Sequence, residues 1–147
     1  MNDNTMPGMK LEEQICFPLY AASREVIKRC RPHLEALGLT YTQYIVLLVI
    51  WEEQTVSVRD LGRKLYLDSG TLTPVLKTLE KNGLITRRRS QEDERVLLVT
   101  ITDQGMALRE NAQHIPAVAA ESLGLSQDES AALYKLLYQV LASSGEA

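Results

Sequence analysis

Cysteine is scarce in this chain of 147 residues: Cys16 and Cys30 are too few to staple a scaffold, and their spacing matches neither a CxxC redox motif nor a zinc ligand set. If they act, they act as thiols. Long apolar runs are also missing. The longest, Tyr44 to Trp51, falls far short of the roughly 20 residues that cross a bilayer, and no basic segment followed by an apolar stretch stands at the N-terminus. A cytoplasmic protein with no membrane partner is the expectation. Positive charge is not in excess either: 16 Lys and Arg against 19 Asp and Glu give a net −3, which over the whole chain argues against nucleic acid. The distribution changes that reading. Residues 57–95 hold nine basic side chains (Arg59, Arg63, Lys64, Lys77, Lys81, Arg87, Arg88, Arg89, Arg95) against six acidic ones, a local +3 that leaves −6 for the remainder. A cationic middle between acidic ends suits a phosphate-binding face, although a solvated surface accounts for so modest an excess almost as well.

What is present, 45% apolar and 24% charged residues, is ordinary for one globular domain. Residues 1–10 are polar and aperiodic and read as a flexible tail, leaving 11–147 as a single domain. From Leu11 to about Leu37, Ile15, Leu19, Ala22, Val26 and Cys30 form a helical stripe; Pro18 makes that helix start near Cys16 or bend there, and Pro32 suggests a second bend. Thr40 with Gln43 is a capping-box pair, after which Tyr41, Tyr44, Ile45, Leu48 and Trp51 share one face of a core helix. Ser57 with Asp60 opens a helix to about Tyr66, and Asp68, Ser69 and Gly70 form a tight turn. The next helix is expected from about Thr71, with Pro74 in its first turn and Asn82-Gly83 as its stop. Leu84 to Arg89 and Val96 to Ile101 read as a two-stranded hairpin around the polar SQEDER tip. Thr102 opens a helix to about Ile115, broken by Pro116, and Ser126 with Glu129 caps the last one.

Helix, helix, short helix, turn, helix and hairpin is the order of a winged helix-turn-helix: a mainly α fold with a small β wing, which presents one helix to the major groove and the hairpin beside it. The segment DSGTLTPVLKTLEK exposes glycine and small hydroxyls at its start, where base edges and phosphates are approached, with Lys77 and Lys81 placed for phosphates further along. The hairpin carries Arg87, Arg88 and Arg95 at its stem ends, which suits a narrow minor groove; charges that guard an edge strand are the competing reading. The winged helix then spans about 40–102. Apolar helices at about 11–37 and 103–143 have too few partners in one chain, so a homodimer reading a pseudo-palindromic double-stranded operator is expected.

From about Lys10 to Leu141 the sequence resembles the MarR family of winged-helix regulators, with DERVLLVTIT similar to the family's wing. That resemblance sends Arg95 into the minor groove and makes Asp93 a brace for the wing. A narrower branch fits better, the organic hydroperoxide resistance regulators (OhrR) and their thiol-based staphylococcal relatives, on three stretches: QICFPLYAASRE, LGLTYTQYIVLL and LYLDSGTLTPVLKTLEKNGLITRRRSQEDER. The likeness implies Cys16 as a peroxide sensor with Tyr20 and Tyr41 around its thiol, and Asp68, Ser69, Gly70, Thr71 and Thr73 facing DNA. Cys30 stands where the branch often has a second tyrosine, and the C-terminal resolving cysteine of two-cysteine members is absent.

Sensing requires a thiolate, and a cysteine near a helix start meets unpaired N–H groups and the positive dipole end. A small buried apolar residue is the plainer reading of Cys16 taken alone. The resemblance implies a repressor that releases its operator once an organic hydroperoxide has made a sulfenic acid and a low-molecular-weight thiol has formed a mixed disulfide, or overoxidation has followed. Cys30 is open to two readings, a filler or a disulfide partner for the second subunit's Cys16. Other classes fit less well: a cysteine enzyme using His33 or His114 has no orienting acid, a metal site of Cys16, Cys30, His33 and His114 has no standard spacing, and no cofactor is implied. A MarR-type regulator answering to a small phenolic ligand is the main alternative.

Overall fold

The computed structural model describes residues 8–144. After a single 3-10 turn (Leu11–Glu13) come α1 (Cys16–Glu35), α2 (Tyr41–Glu53), β1 (Thr55–Ser57), α3 (Val58–Leu65), α4 (Ser69–Lys81), β2 (Ile85–Arg89), β3 (Leu97–Ile101), α5 (Asp103–Asn111), α6 (Ile115–Ser122) and α7 (Gln127–Ser143). Residues 1–7, most of the expected tail, lie outside the described residues.

Side-chain oxygens start five of these helices by accepting a first-turn N–H that would otherwise lack a partner: Thr40, Ser57, Asp68, Thr102 and Ser126. The Thr40–Gln43 and Ser126–Glu129 capping boxes are both closed. Of the two starts that Pro18 allowed for α1, the later one is taken, because at the third helical position proline has no intrahelical bond to lose. Pro32 is carried inside the helix, which runs on to Glu35 and ends through Gly38 (φ +71°), with Leu39 N–H returning to the Leu34 carbonyl at 3.0 Å.

Four expectations need correction. The recognition helix α4 begins at Ser69, two residues before the expected Thr71, since the Asp68 carboxylate takes the Thr71 N–H at 2.7 Å and makes Ser69 and Gly70 helical. Pro74 therefore sits beyond the first turn and costs Gly70 its carbonyl partner. The sheet has three strands, not two: β1 joins the hairpin in the order β1-β3-β2, with Thr55, Val56 and Ser57 opposite Thr100, Val99 and Leu98. The helix after Thr102 stops at Asn111, short of Ile115, and Pro116 occupies the second position of α6, where it starts a helix instead of ending one. In α2 the buried face is Gln43, Tyr44, Val46, Leu47, Ile50 and Trp51, while Leu48 is exposed; the helix is apolar all round, so periodicity alone could not orient it.

The core forms where α2 meets α3, α4 and the sheet, around Leu47, Ile50, Leu61, Leu72, Leu76 and Val99. At its lower edge Thr102 ties three elements together. Its N–H reaches the Leu84 carbonyl (3.1 Å), its hydroxyl donates to the Gly83 carbonyl (2.6 Å), and the same oxygen accepts from Gly105 N–H (3.0 Å). The Trp51 indole N–H donates to the Gly105 carbonyl at 2.8 Å. Only glycine fits at 105, because a Cβ there would stand 2.1 Å from the Leu84 carbonyl oxygen. On the other side α6 packs along α1. No residue of α7 is buried within the chain, and Tyr134, Leu136, Tyr138 and Val140 are all exposed, as are Ile15, Phe17 and Leu19 at the start of α1.

Candidate nucleic-acid interface and thiol site

Burying Leu72, Leu76 and Leu79 turns the opposite side of α4 outward, so Thr73, Lys77 and Lys81, spaced by one turn, share the solvent face. Ser69, Gly70 and Thr71 are exposed at the N-terminal end. The bond from the Thr71 N–H, followed by that from its side chain, holds the Asp68 carboxyl below the usual carboxylate range. The Thr73 and Thr78 hydroxyls bond back to the Ser69 and Pro74 carbonyls, which fixes their rotamers and leaves their oxygens free to accept.

At the wing tip, the Asp93 carboxylate accepts from the Arg95 guanidinium through Nε (3.0 Å) and the terminal nitrogen (3.2 Å), and from the Arg95 N–H (3.0 Å). These bonds hold the Asp93 carboxyl below its usual range, the side-chain bond contributing most. Arg95, with its side chain 90% exposed, thus lies in solvent with its guanidinium held by Asp93. Arg88 and Arg89 are exposed, but Arg87 is not presented as expected. Its guanidinium turns back onto Glu80 of α4 (3.1 Å) and its N–H donates to the same carboxylate (3.0 Å). Strand alternation explains this, since Arg87 shares with Ile85 the face of β2 that looks at α4.

Between α3, α4 and the wing lies an open concavity of about 610 Å³, onto which Arg59, Arg63, Ser69, Thr73 and Arg95 converge. Arg59 and Arg63 belonged to the basic cluster of the sequence but were not singled out as site residues; their separation by four on a short helix beside the turn was the available signal. Hydroxyls, helix N–H groups and three guanidinium groups around one groove are donors suited to a polyanion backbone.

The thiols lie far apart. Cys16 is the first residue of α1 and is exposed; its N-cap, Ile15, supplies no side-chain acceptor, and in the turn that follows Phe17 N–H bonds to the Gln14 carbonyl (3.3 Å) while Pro18 has no N–H to satisfy. Tyr20, one turn on, is exposed with Arg24 stacked over its ring at 5.3 Å. Cys30 is 0% exposed within its own chain, and burial pushes its thiol pKa up. A thiol so placed packs as a core residue, and a bond to a second subunit would require it to be uncovered. Tyr41 keeps company with Cys30 and Tyr44 (ring centroids 6.1 Å apart), and burial first, then Cys30, pushes its hydroxyl pKa up. Since α1 separates Cys30 from Cys16 by about 21 Å along its axis, Tyr41 does not reach Cys16 within one chain. His33 and His114 meet each other (Nδ1 to Nε2, 3.2 Å) and hold α6 against the far end of α1, about 25 Å along the helix from Cys16. Among the described residues no group of three or more His, Cys, Asp or Glu could hold a metal ion, and no helix is long and apolar enough to cross a membrane.

A helix with an exposed hydroxyl-rich start, packed on a shorter helix and flanked by an arginine-tipped hairpin, defines a winged-helix DNA-binding regulator. Residues 28–111 match the family described as transcriptional regulator SarA/Rot, and the chain belongs to these SarA/Rot/MarR-type winged-helix transcriptional regulators, which are not enzymes. It is 49% identical over 142 residues to the organic hydroperoxide resistance transcriptional regulator of Bacillus subtilis, covering 95% of each chain. With the regulator SarZ of Staphylococcus haemolyticus it shares 41% identity over 134 residues, 91% of each. Among solved structures it is similar to reduced AbfR bound to DNA, with a TM-score of 0.75 and 38% identity over 92% of this chain and 94% of that one.

Proposed function

We propose that this regulator is a repressor that binds a pseudo-palindromic operator as a homodimer and lets go when an organic hydroperoxide oxidises Cys16. The observation that carries this reading is the placement of Cys16: exposed, at an uncapped helix start, and surrounded by the outward-facing Ile15 (84% exposed), Phe17 and Leu19. The apolar surround favours an alkyl or acyl chain over hydrogen peroxide. The kinship with a regulator named for organic hydroperoxide resistance supports the same reading.

In this scheme the thiolate attacks the outer peroxide oxygen, the O–O bond breaks, the alcohol leaves with a proton, and sulfur is oxidised to a sulfenic acid. A low-molecular-weight thiol then displaces that hydroxyl as water, leaving a mixed disulfide. Residues 40–102 read DNA: Asp68, Ser69, Gly70, Thr71 and Thr73 at the start of α4 and Lys77 further along face the major groove, while Arg88 and Arg95 meet the flanking backbone and minor groove and Asp93 braces the wing. Arg59 and Arg63 add phosphate contacts. The helices of 11–37 and 103–143 pair across a two-fold axis, which covers α7 and brings a Tyr41 hydroxyl from across the axis to Cys16, beside Tyr20 of the same helix. A bulky adduct on Cys16 then changes how the two recognition helices are spaced.

The test is operator affinity of the wild type and Cys16→Ser at one fixed salt concentration, before and after stoichiometric organic hydroperoxide with a small thiol present. Loss of binding in the wild type alone, restored by dithiothreitol, is the expected result. Both proteins staying bound after oxidation would sink the sensor reading and leave a ligand-responsive regulator.

A further inference from the structure

The ion pair between Glu80 and Arg87 lies outside every contact assigned above, yet it joins the two parts that must engage DNA together. Glu80 stands in the last turn of the recognition helix, and its carboxylate accepts three bonds from one residue of the wing: the Arg87 N–H (3.0 Å), Nε (3.4 Å) and a terminal guanidinium nitrogen (3.1 Å). The Arg87 side chain is only 20% exposed. Between them the chain makes a tight turn through Asn82 and Gly83, closed by Leu84 N–H to the Leu79 carbonyl (3.0 Å). That turn fixes where β2 leaves α4, and the pair fixes the angle at which it leaves.

We infer that Glu80 and Arg87 form a positioning latch that sets the tilt of the wing against the recognition helix, so that Arg95 reaches its groove only while α4 is seated in the neighbouring one. This rests on the reading of Arg95 as a DNA contact. The leverage is large. From Arg87 the hairpin extends about five residues to its tip, roughly 16 Å of strand, so a change of about 10° at the latch swings the tip by about 3 Å. That is the length of the hydrogen bonds it has to make.

Electrostatics gives the inference a sign that can be checked. A carboxylate near a polyanion weakens binding, and replacing it by a neutral amide frees Arg87 for phosphates. If the pair were only surface charge, Glu80→Gln would bind DNA more tightly. The latch requires the opposite for specific DNA.

The experiment uses a duplex that the full-length protein has itself selected from a random-sequence pool, with a scrambled duplex of equal composition as reference, at fixed salt. Thermal unfolding of each variant reports on folding. For Glu80→Gln the expected result is a fall of about tenfold in the ratio of specific to scrambled affinity, with unfolding little changed. Arg87→Lys, which keeps the charge but not the fork, shows a smaller fall in the same direction. Arg95→Ala, costly in the wild type, costs at least threefold less in the Glu80→Gln background, because a mis-tilted wing has already lost that contact. Equal or tighter specific binding by Glu80→Gln, or full additivity with Arg95→Ala, overturns the latch while leaving the wing's role intact. Arg95→Ala with unchanged affinity removes that role, and the latch with it.

Discussion

Replacing Gly105 by alanine adds one methyl group at a position with no room for it. The new Cβ stands 2.1 Å from the Leu84 carbonyl oxygen and 2.7 Å from Ile101 Cδ1, and the nearer contact is backbone. To restore an ordinary separation, the start of α5 has to withdraw by about 1.3 Å. That movement stretches the Trp51 indole bond to the Gly105 carbonyl, now 2.8 Å and buried. Overpacking of this kind costs about 1–3 kcal/mol, and leaving the indole donor unsatisfied adds about 1–3 kcal/mol. A destabilisation of about 3–4 kcal/mol is therefore expected. Trp51 is the only tryptophan, so its fluorescence reports directly on the damaged contact. Urea unfolding followed by that signal, at one fixed protomer concentration, should show the midpoint falling by more than about 1 M with little change in slope. Gly38→Ala is the control: its φ is +71° but nothing lies within 4 Å of the added Cβ, so only the backbone penalty applies, about 1 kcal/mol. A Gly105→Ala protein no less stable than Gly38→Ala would refute the reasoning.

Thiol reactivity separates the two cysteines. One thiol per chain, Cys16, is expected to react promptly with a disulfide reagent under native conditions, and Cys30 only after unfolding; two prompt thiols would mean that the buried position of Cys30 is wrong. Acid sensitivity follows from Asp68, Glu80 and Asp93, whose carboxyls are all held below their ordinary range, chiefly by hydrogen bonds from Thr71, Arg87 and Arg95. Groups depressed in the folded state add stability that is complete at neutral pH and is lost as pH falls through the usual carboxylate range toward their folded values. Stability measured between pH 7 and pH 3 should accordingly decline less steeply in Asp68→Asn than in the wild type; parallel curves would count against the cap.

Much of this architecture was legible because capping chemistry is local. Thr40, Ser57 and Ser126 announce their helices within four residues, and an arginine-rich strand and an apolar one bracket the polar tip. What escaped depended on partners distant in sequence. Three residues, Thr55–Ser57, are too short to show an alternating pattern and become a strand only because β3 offers an edge. The buried face of α2 was unreadable in a helix whose apolar residues run round every side and whose Gln43 is buried, whereas the inward turn of Arg87 follows from strand alternation once Ile85 is known to be in the core. Cys16 lay at the expected helix start and Cys30 on the expected apolar stripe, but that Cys30 is covered within the chain while Ile15 and Leu19 of the same stripe are exposed depended on packing around α1.

The knot of bonds around Thr102 has a corollary. The end of the recognition helix, the root of the wing and the first turn of α5 are joined there within a single hydrogen-bonded cluster. The reading head is thereby delivered to the rest of the molecule as a prefabricated part with one rigid mounting. Such a mounting is indifferent to what happens upstream of it, whether a thiol is modified or a pocket is filled. On the reading proposed above the trigger lies outside that cluster, so substitutions in α1 and α7 would change the response without touching the bonds that mount the reader.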